Sequence, residues 1–354
     1  MTRIDARSAT LAAVACVALA TAALLDESAL SVYVLLALTA SVTVGVSLLM
    51  GHAGQVSLGH GAFYASGAYA AGILATHGFP SWLGLLVAPI AAASIAVVVG
   101  IPLLLLRGHH LAFATLALHL IFLSIISELS ITGGDVGLQG IPRLSLAGVA
   151  LTSVRSYAYV SWFALFLVVV VARNILRSRP GRALRALASS EVAAASSGVA
   201  VGYYKLAVFA LSACFAGLAG GIYAFYMGYL APGSFPVMLS IEYIVMAAVG
   251  GLGKVSGALA GSAVVFLLVH GLSRVATSSG MPGSAPVILS YAVYAVLLVS
   301  AVLFLPGGLI SFIGKAWARA RRGFNAKDVP VASQGPARAD SDPEGVPSNH
   351  GSFS

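Results

Sequence analysis

Three stretches of this sequence, 81–106, 206–237 and 255–273, run for about the width of a bilayer without one Asp, Glu, Lys or Arg. Crossing the ~30 Å hydrocarbon core takes about 20 helical residues. Inside lipid, backbone N–H and C=O groups must be paired within the protein, which favours helices. An all-α, polytopic membrane helical bundle is therefore the predicted fold. A composition of 59% hydrophobic and 8% charged residues, with a mean hydropathy of +0.97, agrees.

Apolar runs predict about ten transmembrane helices, near 9–25, 30–50, 61–77, 82–106, 110–129, 156–175, 204–228, 237–250, 254–274 and 286–305, some of them short or broken. Arg3 and Arg7 ahead of the first run resemble the start of a secretory signal, but that run is long for one and reads as a retained helix. With the N-terminus inside, fourteen of the nineteen basic residues fall on the cytoplasmic side. Only Arg143, Arg155 and Arg274 fall outside, and Lys327 and Arg338 lie in the tail. This is the positive-inside pattern, and it predicts both termini in the cytoplasm. Residues 1–322 read as the membrane domain and 323–354, rich in Pro, Ser, Gly and Asp, as a disordered cytoplasmic tail. The longest outer loop, 131–156, carries glycines that suggest turns.

The charges are concentrated in one cytoplasmic loop, 176–203. Arg177-Ser178-Arg179-Pro180-Gly181-Arg182-Ala183-Leu184-Arg185 is a basic island in a chain almost without charge. Pro180 suits a first helical turn and Gly198 a left-handed stop, which predicts one helix from 182 to 197. Its Ala-rich surface holds lipid weakly and is too apolar for free solvation, so it reads as a docking face for a soluble partner. Contact with anionic membrane lipid plus a topology signal is the competing reading.

Within the membrane, Gly51-His52-Ala53-Gly54-Gln55-Val56-Ser57 and Gly250-Gly251-Leu252-Gly253-Lys254-Val255-Ser256 share the pattern G-x-x-G-x-V-S. Each copy interrupts an apolar run, and paired glycine-broken segments point to the centre of a transporter. Gln55 and Ser57 are thus translocation-pathway candidates, although tight glycine packing accounts for the same pattern. Glu242, in an apolar segment, costs roughly 2.5–3.5 kcal/mol at mid-membrane on insertion scales. It is either a pathway residue or a tie between helices. Gly217 and Gly221, like Gly257 and Gly261, are spaced four apart and read as helix-packing seams.

Little here supports catalysis, and no catalytic residue, metal site or cofactor is predicted. Neither H-E-x-x-H nor G-x-S-x-G occurs, and His109, His110 and His119 are not spaced for one helix face. The nearest approach to a phosphate-binding loop is Gly253-Lys254, with Val255 where the hydroxyl belongs and Ala248 where the first glycine belongs. If transport is ATP-driven, the ATPase is another polypeptide. Basic residues confined to loops and helix ends also argue against nucleic acid.

Several motifs, in order, resemble one family. They are Gly54-Gln55-Val56-Ser57-Leu58-Gly59-His60-Gly61-Ala62-Phe63, Gly181-Arg182-Ala183 through Glu191 to Gly198, Tyr204-Lys205, Phe215-Ala216-Gly217-Leu218-Ala219-Gly220 and Gly250-Gly251-Leu252-Gly253. From about Ser41 to Leu305 the chain is similar to the permeases of bacterial branched-chain amino-acid ABC importers, the LivM type within the LivH/LivM and ribose-permease-like superfamily. The resemblance implies a bacterial inner-membrane subunit that pairs with a second, related permease. It also implies substrate delivery by an extracytoplasmic binding protein and drive from two ATP-binding subunits. On that analogy 176–203 is the coupling loop, with Glu191 and Gly198 matching the family's E-x-A-A-x-x-x-G docking pattern and Arg182 its G-R-A. The sequence departs at Ala188-Ser189-Ser190, where the family usually carries R-D-N. The alternative from the residues alone is a secondary transporter coupled to ions or protons, with Glu242 as proton carrier.

Overall fold

The computed structural model describes residues 21–22, 25–103, 106, 108–146, 149–278 and 285–304. Eleven helices are described: α1 Glu27–Ala53, α2 His60–Thr76, α3 Ser81–Leu103, α4 His109–Glu128, α5 Val154–Arg177, α6 Arg179–Ser189, α7 Glu191–Ser196, α8 Val201–Met227, α9 Met238–Gly250, α10 Val255–Ser278 and α11 Ala285–Phe304. Every predicted segment from 30–50 onward lies on one of them. The first segment, 9–25, apart from residues 21–22 and 25, and the tail, 323–354, lie outside the described residues. Among the described residues seven helices are long and apolar enough to cross a membrane.

What faces outward distinguishes this bundle from a soluble one. Along α3 the buried positions are Ser81, Gly84, Ala88, Ala92, Ala96, Gly100 and Leu103, a stripe spaced three and four apart. Trp82, Leu86, Ile90, Val98 and Ile101 are exposed on the same helix. Small residues inside and large apolar residues outside suit a hydrocarbon solvent, where close backbone approach drives helix association. In water such faces would be a large apolar patch.

The core is centred on α1, α2, α3, α5 and α8. A Cβ on Gly67 or Gly220 would strike the facing helix of the α2–α8 pair, and on Gly217 the backbone of α3 near Ala88. Gly257 and Gly261 likewise seat α10 against Gly250 and Met246 of α9. These seams match the four-residue spacing in the sequence. A smaller apolar cluster, with Val245, Met246, Val265, Val269 and Tyr294, joins α9, α10 and α11.

Two expectations are revised. The outer stretch 131–156 is more ordered than a run of turns: it carries two 3₁₀ turns and a two-residue hairpin, β1 Ser145–Leu146 with β2 Val149–Ala150. Tyr157 pins it, accepting from Leu144 N–H at 3.0 Å and donating to Phe225 C=O at 2.9 Å. Nor is the loop 176–203 one helix, because it divides at Ser190, whose φ of −163° and ψ of 122° are extended. Its hydroxyl accepts from Ala193 N–H at 3.3 Å, so the serine starts a new helix instead of continuing the old one.

Candidate functional site

The first break follows from one glycine. Gly54 takes φ +63° and ends α1, with its N–H returning to Leu49 C=O. Residues 54–59 are non-helical until His60 opens α2. Backbone unwound at membrane depth needs partners from elsewhere in the protein. Leu58 N–H donates to Thr115 Oγ1 of α4 at 2.9 Å, and Gly59 N–H to Ser57 Oγ at 3.3 Å. Gly61 N–H, in the first turn of α2, donates to Ser240 Oγ of α9 at 2.9 Å.

That serine belongs to a chain of bonds whose tautomer is determined. His119 Nε2 lies 3.1 Å from Phe235 C=O, an acceptor only, so Nε2 carries the proton. Nδ1 is then an acceptor and takes the Ser240 hydroxyl at 3.3 Å. The relay runs from Gly61 N–H through Ser240 and neutral His119 to the Phe235 carbonyl, joining α2, α4 and the start of α9. His119 is ten residues, about 15 Å, along α4, so the segment leading into α9 lies near mid-depth. The 13-residue α9 is about 20 Å long and reaches spanning length only with the residues from Pro232 onward.

A second bond, His60 Nε2 with Ser212 Oγ of α8 at 3.1 Å, ties the break to the core. The buried Gln55 Oε1 has no hydrogen-bond partner among the described residues, and buried polar atoms are rarely left so.

The other copy of the repeat forms the second break. α9 ends at Gly250, and Gly251 and Gly253 take positive φ before α10 starts. The two copies touch: Gly253 N–H donates to Ser47 C=O at 3.0 Å and to Ser47 Oγ at 3.1 Å. A Cβ on Gly51 would collide with the backbone of Leu252 and Gly253. Of the pathway candidates, Gln55 and Ser57 are buried together in the first break. Glu242 is half-buried on α9 and hydrogen-bonded to Tyr294 of α11, with that smaller cluster.

At the same end of the bundle, α6 turns Gly181, Leu184 and Leu187 inward and Arg182 outward. Arg185 returns to Leu176 C=O at 2.6 Å. Glu191, in the first turn of α7, pairs with Lys205 of α8. Gly198 takes φ +79°, its N–H bonding Ala195 C=O while Val199 N–H bonds Ala194 C=O, which closes α7 in a Schellman turn. Val192 is 80% and Tyr203 70% exposed, the Tyr203 ring meeting Tyr204 edge-on. Arg182 on α6, Glu191 on α7 and Gly198 just after it thus have distinct tasks: an outward charge, an intrachain tie and a stop.

His119, Ser240, Ser212 and Thr115 were not singled out as site residues by sequence. Their partners lie 57 to 179 positions away, and neither spacing nor local pattern signals such pairs.

The pattern of the family described as "Branched-chain amino acid transport system / permease component" matches residues 28–302. The "High-affinity branched-chain amino acid transport system permease protein LivM" of Escherichia coli (strain K12) is 32% identical over 250 residues, which are 63% of this chain and 57% of that protein. Its counterpart in Salmonella typhimurium (strain LT2) has the same identity and coverage. The chain therefore spans somewhat over half the length of these relatives. No solved structure gives a significant match.

Proposed function

We propose a function from the premise that this chain belongs to the family of branched-chain amino-acid transport system permease components. It is the membrane subunit of an ATP-driven ABC importer, passing branched-chain or related small amino acids across the bacterial inner membrane. An extracytoplasmic binding protein delivers the substrate, a second related permease completes the pore, and two ATP-binding subunits dock on the coupling loop, 176–203. The observation that carries this is the extent of the match, which includes both broken segments and the coupling loop between them. In this reading ten helices span the membrane, with both termini and the tail 323–354 in the cytoplasm.

The geometry supports a specific division of labour. α6 packs on α1 and α5, so a partner that displaces α6–α7 pulls on the end of α1 where Gly51 meets Gly253. Parting the two breaks opens one end of the path. Gln55 and Ser57 then present polar groups to a polar solute.

The test is affinity purification of the detergent-solubilised full chain expressed with its neighbours in the cell. Recovery of two ATPases and a second permease is expected. A second reading, proton-coupled transport, draws on Glu242 and its bond to Tyr294. Uptake by proteoliposomes holding this chain alone, driven by a pH gradient, would overturn the importer reading in its favour. Reporter fusions at the termini test the topology separately.

A further inference from the structure

We propose that Glu242, on the side of α9 that meets α11, binds the ammonium group of a small apolar amine, in the importer that of the transported amino acid. Among the described acidic residues, Asp26, Glu27, Glu128, Asp135 and Glu191 lie at helix ends or in loops, and Glu242 alone lies inside a span. Ser240 is placed near mid-depth by its bond to His119, and Glu242 follows two residues, about 3 Å, further along α9. Two residues are also about 200° around a helix. Glu242 therefore stands across α9 from the first break, in a place apart from Gln55 and Ser57.

The first observation is the charge that lacks a counterpart. Among the described residues the groups acting on Glu242 are tyrosines: Tyr294 O–H donates to it, and Tyr243 is within electrostatic reach. The ion pair among the described residues is Glu191 with Lys205, far off in the coupling loop, so no Lys, Arg or His lies within ion-pairing distance of Glu242. A carboxylate has about four acceptor sites, of which Tyr294 fills one. Because the residue is half-buried, the others are open to a ligand. A carboxylate at this depth needs a partner, and intramembrane carboxylates mark solute or ion paths.

The second is what surrounds that charge. Met238, one turn before Glu242, and Val245 and Met246, one turn after, share its face of α9. On α11, Val293 and Leu297 flank Tyr294, and both are part-exposed, as Met238 is. Tyr291, one turn before Tyr294, is 49% exposed and adds an aromatic ring, a surface that attracts cations. One carboxylate set among aliphatic, thioether and aromatic side chains suits a cation with an apolar body. It does not suit a metal ion, which takes several oxygen or nitrogen ligands; no cluster of such ligands occurs among the described residues. A primary ammonium brings three donors and gives one to the carboxylate, while the aliphatic part of the same solute lies on the apolar rim.

That the amine is an amino acid rests on the importer reading; the ammonium site itself does not. The test is thermal melting of the full chain in detergent, with the subunits that co-purify with it, titrated with isopentylammonium chloride, leucine or sodium 4-methylpentanoate. The two ammonium compounds are expected to raise Tm saturably and 4-methylpentanoate, which lacks the ammonium, to leave it unchanged. E242Q should weaken both ammonium compounds about tenfold to a hundredfold, the loss of a hydrogen bond to a charged group. Glu242→Asp, which keeps the charge, should retain part of the binding, and circular dichroism on each variant guards against loss of fold. Equal protection by 4-methylpentanoate, or undiminished binding in E242Q, would overturn the proposal. Loss of the second permease from purified E242Q would assign the carboxylate to a subunit contact and refute the solute. Ammonium binding without any recovered ATPase would sink the importer reading and leave the site standing; recovered ATPases without ammonium binding would sink the site alone.

Discussion

Ser240→Ala removes one hydroxyl from the relay at the first break and almost no volume, so its cost reports hydrogen bonding rather than packing. Two bonds are lost: Gly61 N–H loses its acceptor, and His119 Nδ1 loses its donor. Gly61 is in the first turn of α2, where a helix supplies no acceptor of its own. Bonds between membrane helices average about 0.6 kcal/mol and reach about 1.7, while a buried donor left unpaired costs about 1–3 kcal/mol. The sum for Ser240→Ala is about 2 kcal/mol, or a fall of about 3 °C in Tm for a chain of 354 residues. Scanning fluorimetry on the full chain in detergent reads this directly. A double-mutant cycle with His119→Leu should be non-additive by about 0.6 kcal/mol, because both variants break the same Ser240–His119 bond. A Tm shift below about 1 °C for Ser240→Ala, or strict additivity, would refute the relay.

Other substitutions test the remaining parts of the site. Gly51→Ala should cost about 1–3 kcal/mol more than Gly54→Ala in the same melt. The first meets backbone and the second open space, so only overpacking separates them beyond the strain of φ +63° at Gly54. Ser190→Ala should cost about 1 kcal/mol and raise hydrogen exchange across 191–196, with Ser190→Asn near wild type, since both residues cap. Glu191→Ala breaks an ion pair that is half-exposed on the Glu191 side, so its stability cost should stay below about 1 kcal/mol. ATPase recovery in the pull-down should nevertheless fall, and Glu191→Lys with Lys205→Glu should restore it if the tie, and not the carboxylate itself, positions α7. Gln55→Leu should leave the melt unchanged or raise it, because a buried unpaired oxygen is removed. Uptake should drop in the same variant if that oxygen meets the solute.

The spans were legible in the sequence because length alone decides them: no soluble arrangement calls for stretches such as 81–106 without a charge. The breaks were legible for a related reason. Gly54 and Gly253 are where only glycine takes the required turn cheaply, and the repeat G-x-x-G-x-V-S marks both. That the two copies touch was not legible, since contact between positions about 200 residues apart is set by packing. The division of the coupling loop at Ser190 had a local signal that was available: Ser190 with Glu191 behind it is cap chemistry, and Ala188 and Ser189 sit where a helix is weakly held. Reading Arg182–Ser197 as free of breakers missed it because a serine breaks a helix by offering an alternative bond, without any steric clash.

The two regions of the bundle differ in how firmly they are held, and this bears on which part moves. α2, α3 and α8 meet along Gly67, Gly84, Gly217, Gly220 and Gly221, with backbones so close that separating them exposes a long run of polar groups and forfeits many dispersion contacts. The union of the two breaks is different in kind. At Gly51 and Gly253 it is backbone against backbone with no side chain between, and its one hydrogen-bond donor is the Gly253 N–H shared by the carbonyl and hydroxyl of Ser47. Parting it costs about one interhelical hydrogen bond and little apolar contact. The glycine that makes the approach close also leaves no interdigitated side chain to hold it. α9 and α10 share a smaller apolar cluster with α11, while Tyr243, Ala247, Val255 and Ala258 tie the same pair to the main core. The relay from Gly61 to Phe235 then acts as the pivot, because it anchors the start of α9 while the Gly250 end departs. We infer that motion is concentrated at the glycine contact for this reason. The same geometry explains why the two copies of the repeat share glycines and a serine but no bulky residue at the point of contact.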